Sequence, residues 1–134
     1  MRKLENYEAN LQVLLRAHAE DLNNEFIVSG IIDKFFIQFE LGWKVLKELL
    51  KYEGSRAAQS GSPREIIKEA YKAYDFIDEN TWLEILRARN DMTHIYDGAQ
   101  AKALVEKILR DYLPAFVLLE KCIRDRYKDI LSGL

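Results

Sequence analysis

Leu4, Tyr7, Leu11, Leu14, Leu15 and Leu22 recur at spacings of three, four and seven, which places them on one face of an amphipathic helix over about residues 4–21. Asn23-Asn24 interrupts the pattern. From Ile27 a wider stripe follows, made of Ile31, Phe35, Phe39, Trp43, Leu46 and Leu50, and it runs until Gly54 supplies a C-terminal stop. This second helix carries most of the aromatic bulk. The segment 54–61 is small and polar with no apolar anchor, and reads as a flexible loop.

Ser62-Pro63-Arg64-Glu65 is a helix start: Ser62 can cap, Pro63 fits a first turn that needs no amide donor, and Glu65 can complete a capping box. A short third helix then extends to about Tyr74. Asp78-Glu79-Asn80-Thr81 opens a fourth, with the stripe Trp82, Ile85, Leu86 and Met92, and Asp97-Gly98 closes that region. A fifth helix is expected from about Ala99 to Leu131, kinked at Pro114, because proline removes one intrahelical hydrogen bond and crowds the preceding turn. No strand-like alternation and no internal repeat occur. The expected architecture is an all-α, antiparallel four-helix bundle with the short third helix as an extra in a connection, one domain over residues 1–134.

Composition narrows the function classes. Hydrophobic residues make up 49% and charged residues 31%, and 20 Lys+Arg against 22 Asp+Glu leave a net charge of −2, so bulk charge gives no sign of nucleic-acid binding. Cys122 is the single cysteine, which excludes an intramolecular disulfide, and His18 and His94 are too few for most zinc sites. Arg2 and Lys3 are followed by acidic and polar residues instead of an apolar signal core, and no apolar run is long enough to span a bilayer. A soluble, cytoplasmic protein is expected.

The segment 86–97 holds the candidate chemistry. At about 100° per residue Arg89 lies roughly 20° from Trp82 on the helical wheel, inside a stripe otherwise made of Ile85, Leu86 and Met92. A guanidinium so placed implies a partner carboxylate, a second subunit or a cleft that admits an anion. Asn90 and His94, four apart, share a neighbouring face. An arginine, an amide and an imidazole within one and a half turns suit phosphate chemistry, with Arg89 on the non-bridging oxygens, His94 moving a proton and Asn90 orienting one of them. On spacing alone, an arginine paired with a buried acid beside a capping histidine is the better-supported reading. Glu40, beside the aromatic stripe, is a candidate acid for that pairing.

Arg89-x-x-x-x-His94 with Asn90 directly after the arginine resembles the signature of HEPN domains, and His94-x-Tyr96 resembles the form found in HEPN toxins encoded beside a minimal nucleotidyltransferase. The likeness extends to Phe39-Glu40-Leu41-Gly42-Trp43-Lys44, to Ser62-Pro63-Arg64-Glu65, to Trp82 and to 91–97, and over about residues 4–123 it is a likeness to the nucleotidyltransferase substrate-binding protein family, a HEPN branch. The resemblance implies a homodimer whose Arg89 and His94 sets face each other across a cleft. It implies RNA cleavage by a toxin that needs no metal or cofactor, with the ribose 2′-hydroxyl attacking the phosphate, His94 transferring the proton, Arg89 on the phosphate, Asn90 orienting, and Glu40 and Asp91 as supporting residues. It also implies a partner nucleotidyltransferase that silences the toxin by transferring AMP to Tyr96. The alternative it carries is a non-catalytic subunit that presents substrate to the nucleotidyltransferase.

The remaining features read as structural. Arg64, Lys68 and Lys72, and Lys44, Lys47 and Lys51, form basic edges best taken as solvated faces. Phe35, Phe36, Phe39 and Trp43 fit core or dimer packing better than base stacking. His18 interrupts the first stripe as an interior or boundary histidine, and Cys122 is a small apolar residue.

Overall fold

The computed structural model describes residues 1–95 and 97–131. Among them there is no strand, and no helix is long and apolar enough to cross a membrane. The architecture is the expected all-α helical bundle, arranged around one long central helix.

Helix α1 (Arg2–Leu15) buries Leu4, Tyr7, Leu11 and Leu14, the residues of the first stripe. It ends earlier than the spacing suggests, because Arg16–Ala19 tighten into a 3₁₀ turn. The tighter winding gives the inward position to Ala17 and leaves His18 exposed, which corrects the expectation of an interior or boundary histidine.

Helix α2 (Glu25–Tyr52) is the centre of the bundle and packs against α1 and, along its other sides, against the three helices described next. Asn24 starts it by accepting hydrogen bonds from the Phe26 and Ile27 amides at 2.9 and 3.3 Å. Gly54, with φ +86°, stops it in the left-handed conformation that glycine adopts without strain. The following loop is not without an apolar anchor: Ala57–Gln59 form a 3₁₀ turn that inserts Ala58, fully buried, into the core.

Helix α3 (Pro63–Ala73) begins as the sequence predicts, with Ser62 Oγ accepting the Glu65 amide and donating to the Glu65 carboxylate. Helix α4 (Glu79–Asn90) is capped by Asp78 and buries Trp82, whose ring lies 6.5 Å from Phe39 and 5.7 Å from Phe116. The expected fifth helix is four pieces: α5 (Gly98–Lys107), a π turn over Ile108–Tyr112, α6 (Leu113–Arg126) and, after Tyr127, a short α7 (Lys128–Leu131). The departure from α geometry thus lies before Pro114, in a wider turn, while Pro114 itself sits in the opening turn of α6, where proline is tolerated.

One buried polar cluster ties the frame together. Gln38, fully buried, donates from Nε2 to the Tyr7 carbonyl at 3.0 Å and accepts from Asn10 Nδ2 at 2.8 Å. Asn10 also donates to the Lys34 carbonyl at 3.0 Å, and the Tyr7 hydroxyl donates to the Phe116 carbonyl at 2.6 Å. Helices α1, α2 and α6 are thereby joined by satisfied hydrogen bonds, and burial pushes the Tyr7 phenol well above its ordinary pKa, keeping it a donor.

Candidate functional site

The last turn of α4 delivers Arg89 onto the outer edge of α2, where Phe36 and Glu40 stand one helical turn apart. Arg89 Nη2 forms an ion pair with Glu40 Oε1, and Nη1 donates to Asn90 Oδ1 at 3.0 Å. The guanidinium carbon lies 5.4 Å from the centre of the Phe36 ring and 5.8 Å from that of Phe39, within reach of cation–π attraction. Glu40 is held from its other side, with Oε2 accepting the Trp43 indole N–H at 3.2 Å. The acid suggested by the sequence is therefore the partner of Arg89.

The pair is only partly satisfied. Arg89 Nε is buried and has no hydrogen-bond partner among the described residues, although the arginine side chain as a whole keeps 27% of its exposure and the Glu40 side chain 21%. Glu40 Oε1 is likewise buried without a hydrogen bond among the described residues, so both orphan atoms belong to the two partners of one ion pair.

His94 follows Arg89 on a different backbone from the one the spacing assumes. The α-helix ends at Asn90, and Asp91–His94 continue as a 3₁₀ turn, so Asn90 and His94 are not stacked one α-turn apart. Met92 leaves the helix stripe with this change and sits half-buried on the turn. Asp91 is exposed at the C-cap of α4 and His94 is exposed at the end of the turn. Arg89, Asn90 and Glu40 thus form one contact set, with Asp91 and His94 beside it. Tyr96 lies outside the described residues. No group of three or more His, Cys, Asp or Glu side chains among the described residues could hold a metal ion.

Two elements of the site were read from sequence as core or dimer packing only. Phe36 forms a ring platform under the arginine, and Trp43 anchors the carboxylate. The signal for both was the spacing Phe36, Glu40, Trp43, four and three apart on one helix edge. The other sequence features settle as solvated or packing groups: Lys72 pairs with Glu69 at 3.5 Å, Lys47 lies 5.8 Å over the Trp43 ring, and Cys122 is half-buried with its thiol pKa pushed up by burial.

No curated protein matches the chain. The family described as nucleotidyltransferase substrate binding protein like matches residues 2–125, from the first residue of α1 to the last turn of α6, and the chain belongs to that family.

Proposed function

We propose that this chain is the HEPN-type partner of a minimal nucleotidyltransferase and works as a ribonuclease toxin that the partner silences by AMP transfer to Tyr96. The observation that carries the reading is the Arg89 guanidinium, held against the Phe36 and Phe39 rings at the end of α4, directly before the turn that ends at the exposed His94. In the reaction the ribose 2′-hydroxyl attacks the adjacent phosphorus and loses its proton to His94. The 5′-oxygen leaves with the proton that the His94 imidazolium gives back, and the products are a 2′,3′-cyclic phosphate and a 5′-hydroxyl. Arg89 balances the charge on the non-bridging oxygens, and Asn90 Oδ1 holds Nη1 in place. This chemistry uses only side chains of the protein.

A homodimer fits the same edge. Phe36 and Trp43 are half-buried beside Glu40 and Arg89, and a second copy placed on this edge of α2 covers both rings while setting two Arg89 and His94 pairs across one cleft. Purified protein without its partner is the test: RNA ends should appear with wild type and disappear with Arg89→Ala and His94→Ala. Wild-type protein that cleaves no RNA, and arrests no growth when expressed alone, overturns the ribonuclease reading.

A second reading is favoured by one observation. The Glu40 carboxylate already neutralises Arg89, as expected of a residue that shapes a surface instead of gripping a phosphate. A non-catalytic subunit presenting substrate to the nucleotidyltransferase would bind that enzyme and raise its transfer rate without cleaving RNA. Mass spectrometry of Tyr96 after incubation with the nucleotidyltransferase, ATP and magnesium separates the two: adenylylation of Tyr96 coupled to loss of cleavage supports the toxin, and an unmodified Tyr96 with enhanced transfer to another substrate supports the subunit.

A further inference from the structure

A groove of about 630 Å³ opens between the start of α2, the turn that follows α4 and the start of α5. Val28, Ile32, Met92, Ile95 and Ala101, buried or half-buried, make it apolar inside. Its exposed edge is polar and ordered by hydrogen bonds. Lys102 Nζ donates to Asn23 Oδ1 at 3.1 Å, and Asp97 Oδ1 accepts the Gln100 amide at 2.8 Å. Ser29 and Glu25 complete that edge.

The charges decide what chemistry fits. Glu25 and Asp97 outnumber Lys102, whose ammonium is already engaged by Asn23, so the groove disfavours a phosphate and favours a neutral group that donates hydrogen bonds to carboxylates. With its oxygen accepting from Lys102, Asn23 has its side-chain amide N–H donors at the groove edge. An apolar groove with carboxylates and an amide at its edge matches an aromatic heterocycle bearing an exocyclic amine.

Position links this groove to the site above. Ile32 in the groove, Phe36 under Arg89 and Glu40 on the ion pair follow one another along one edge of α2, each about 6 Å further on. Met92, on the groove wall, belongs to the same short turn as His94. We infer that the groove seats a nucleobase carrying an exocyclic amine, adenine in preference to uracil, from a nucleotide whose phosphate lies against Arg89. The inference rests on the phosphate-directed reading of Arg89 and adds to it a base-selective subsite.

Titration of the full chain with AMP, UMP and ribose 5-phosphate tests it. AMP should bind about 10-fold more tightly than UMP, and ribose 5-phosphate more weakly than either. Ser29→Trp, which fills the groove, should bring AMP down to the affinity of ribose 5-phosphate, whereas Arg89→Ala should weaken AMP and UMP alike and keep their ratio. If Ser29→Trp does not fold, photolabelling of the wild type with an azido-adenosine monophosphate decides: label on peptides 22–32 or 92–102 supports the groove, and label elsewhere overturns it. Equal affinities for AMP, UMP and ribose 5-phosphate also overturn it. An adenylyl dinucleotide that binds more tightly than AMP assigns the base to an RNA strand, and one that binds no better assigns it to a free nucleotide; both support the groove. Base-selective binding by a chain that cleaves no RNA removes the ribonuclease and supports the groove, whereas RNA cleavage without base preference removes the groove and leaves the ribonuclease.

Discussion

Gln38 and Glu40 stand two residues apart on α2, and both are polar residues in an aromatic helix, yet their surroundings differ in kind. Gln38 is enclosed, and its amide meets the Tyr7 carbonyl and the Asn10 side chain. Glu40 sits at the edge of the bundle, paired with an arginine that retains a buried, unpartnered Nε. The first cluster spends its polarity on joining three helices; the second leaves polarity unspent beside an exposed histidine. A buried amide with every partner in place specifies the packing around it, whereas an ion pair left partly unmatched at the edge of the bundle specifies it less.

The comparison can be broken from either side. Gln38→Ala should cost about 3 kcal/mol in urea unfolding, since it leaves the Tyr7 carbonyl and the Asn10 amide without their partner and opens a cavity. A loss under about 1 kcal/mol would mean that the cluster is not structural. Arg89→Ala should cost less in unfolding than Gln38→Ala, about 1–2 kcal/mol, because the pair sits at the edge of the bundle with part of both side chains exposed, and on the ribonuclease reading it should lower RNA cleavage by at least about 100-fold. Comparable damage to both properties would place Arg89 in the frame and not in the site.

Gly42, one turn beyond Gln38, sharpens the structural half. A Cβ there would meet Tyr7 Cε2 at 3.1 Å and the Trp82 ring at 3.5 Å, so Gly42→Ala should destabilise by about 1–2 kcal/mol, measurable in the same unfolding series. The smallest expected effect concerns pH. The Arg124 hydrogen bond holds the Glu8 carboxyl below its usual range, so its contribution is present above the unfolded pKa and is lost as pH falls through the folded value. Burial, with Glu8 nearby, raises the pKa of Glu120, so its contribution is present below the unfolded pKa and is lost as pH rises through the folded value. The two oppose each other. Glu120→Gln should therefore add less than about 1 kcal/mol at neutral pH, nothing at pH about 4, and leave a steeper loss of stability on acidification, readable from thermal melts between those limits.

Much of this was legible in the chain. The stripes over Leu4 to Leu14 and Ile31 to Leu50, the Ser62 cap and the Gly54 stop rest on local spacing and local backbone chemistry, which a sequence carries directly. The Glu40 partner was legible too, because a cation inside an apolar stripe demands an acid and few were near. What escaped was set by tertiary competition. Ala58 enters the core because the loop after α2 must close over α3, and nothing in eight small polar residues announces which one turns inward. The 3₁₀ turns at 16–19 and 91–94 have the composition of helix, and only packing decides that the chain tightens there. Phe36 carried a helical spacing indistinguishable from core, and its role appears only when Arg89 is laid over it.

The π turn over Ile108–Tyr112 has a consequence for how the chain can vary. One residue more than an α-turn holds is accommodated there, and every residue downstream is rotated by about 100° relative to an uninterrupted helix. Upstream, α5 addresses α2; downstream, α6 addresses α1. The extra residue is thus a phase shifter that lets one nearly continuous rod serve two neighbours lying in different directions. Deleting a single residue from that stretch would restore the uninterrupted phase and force a choice between the two neighbours.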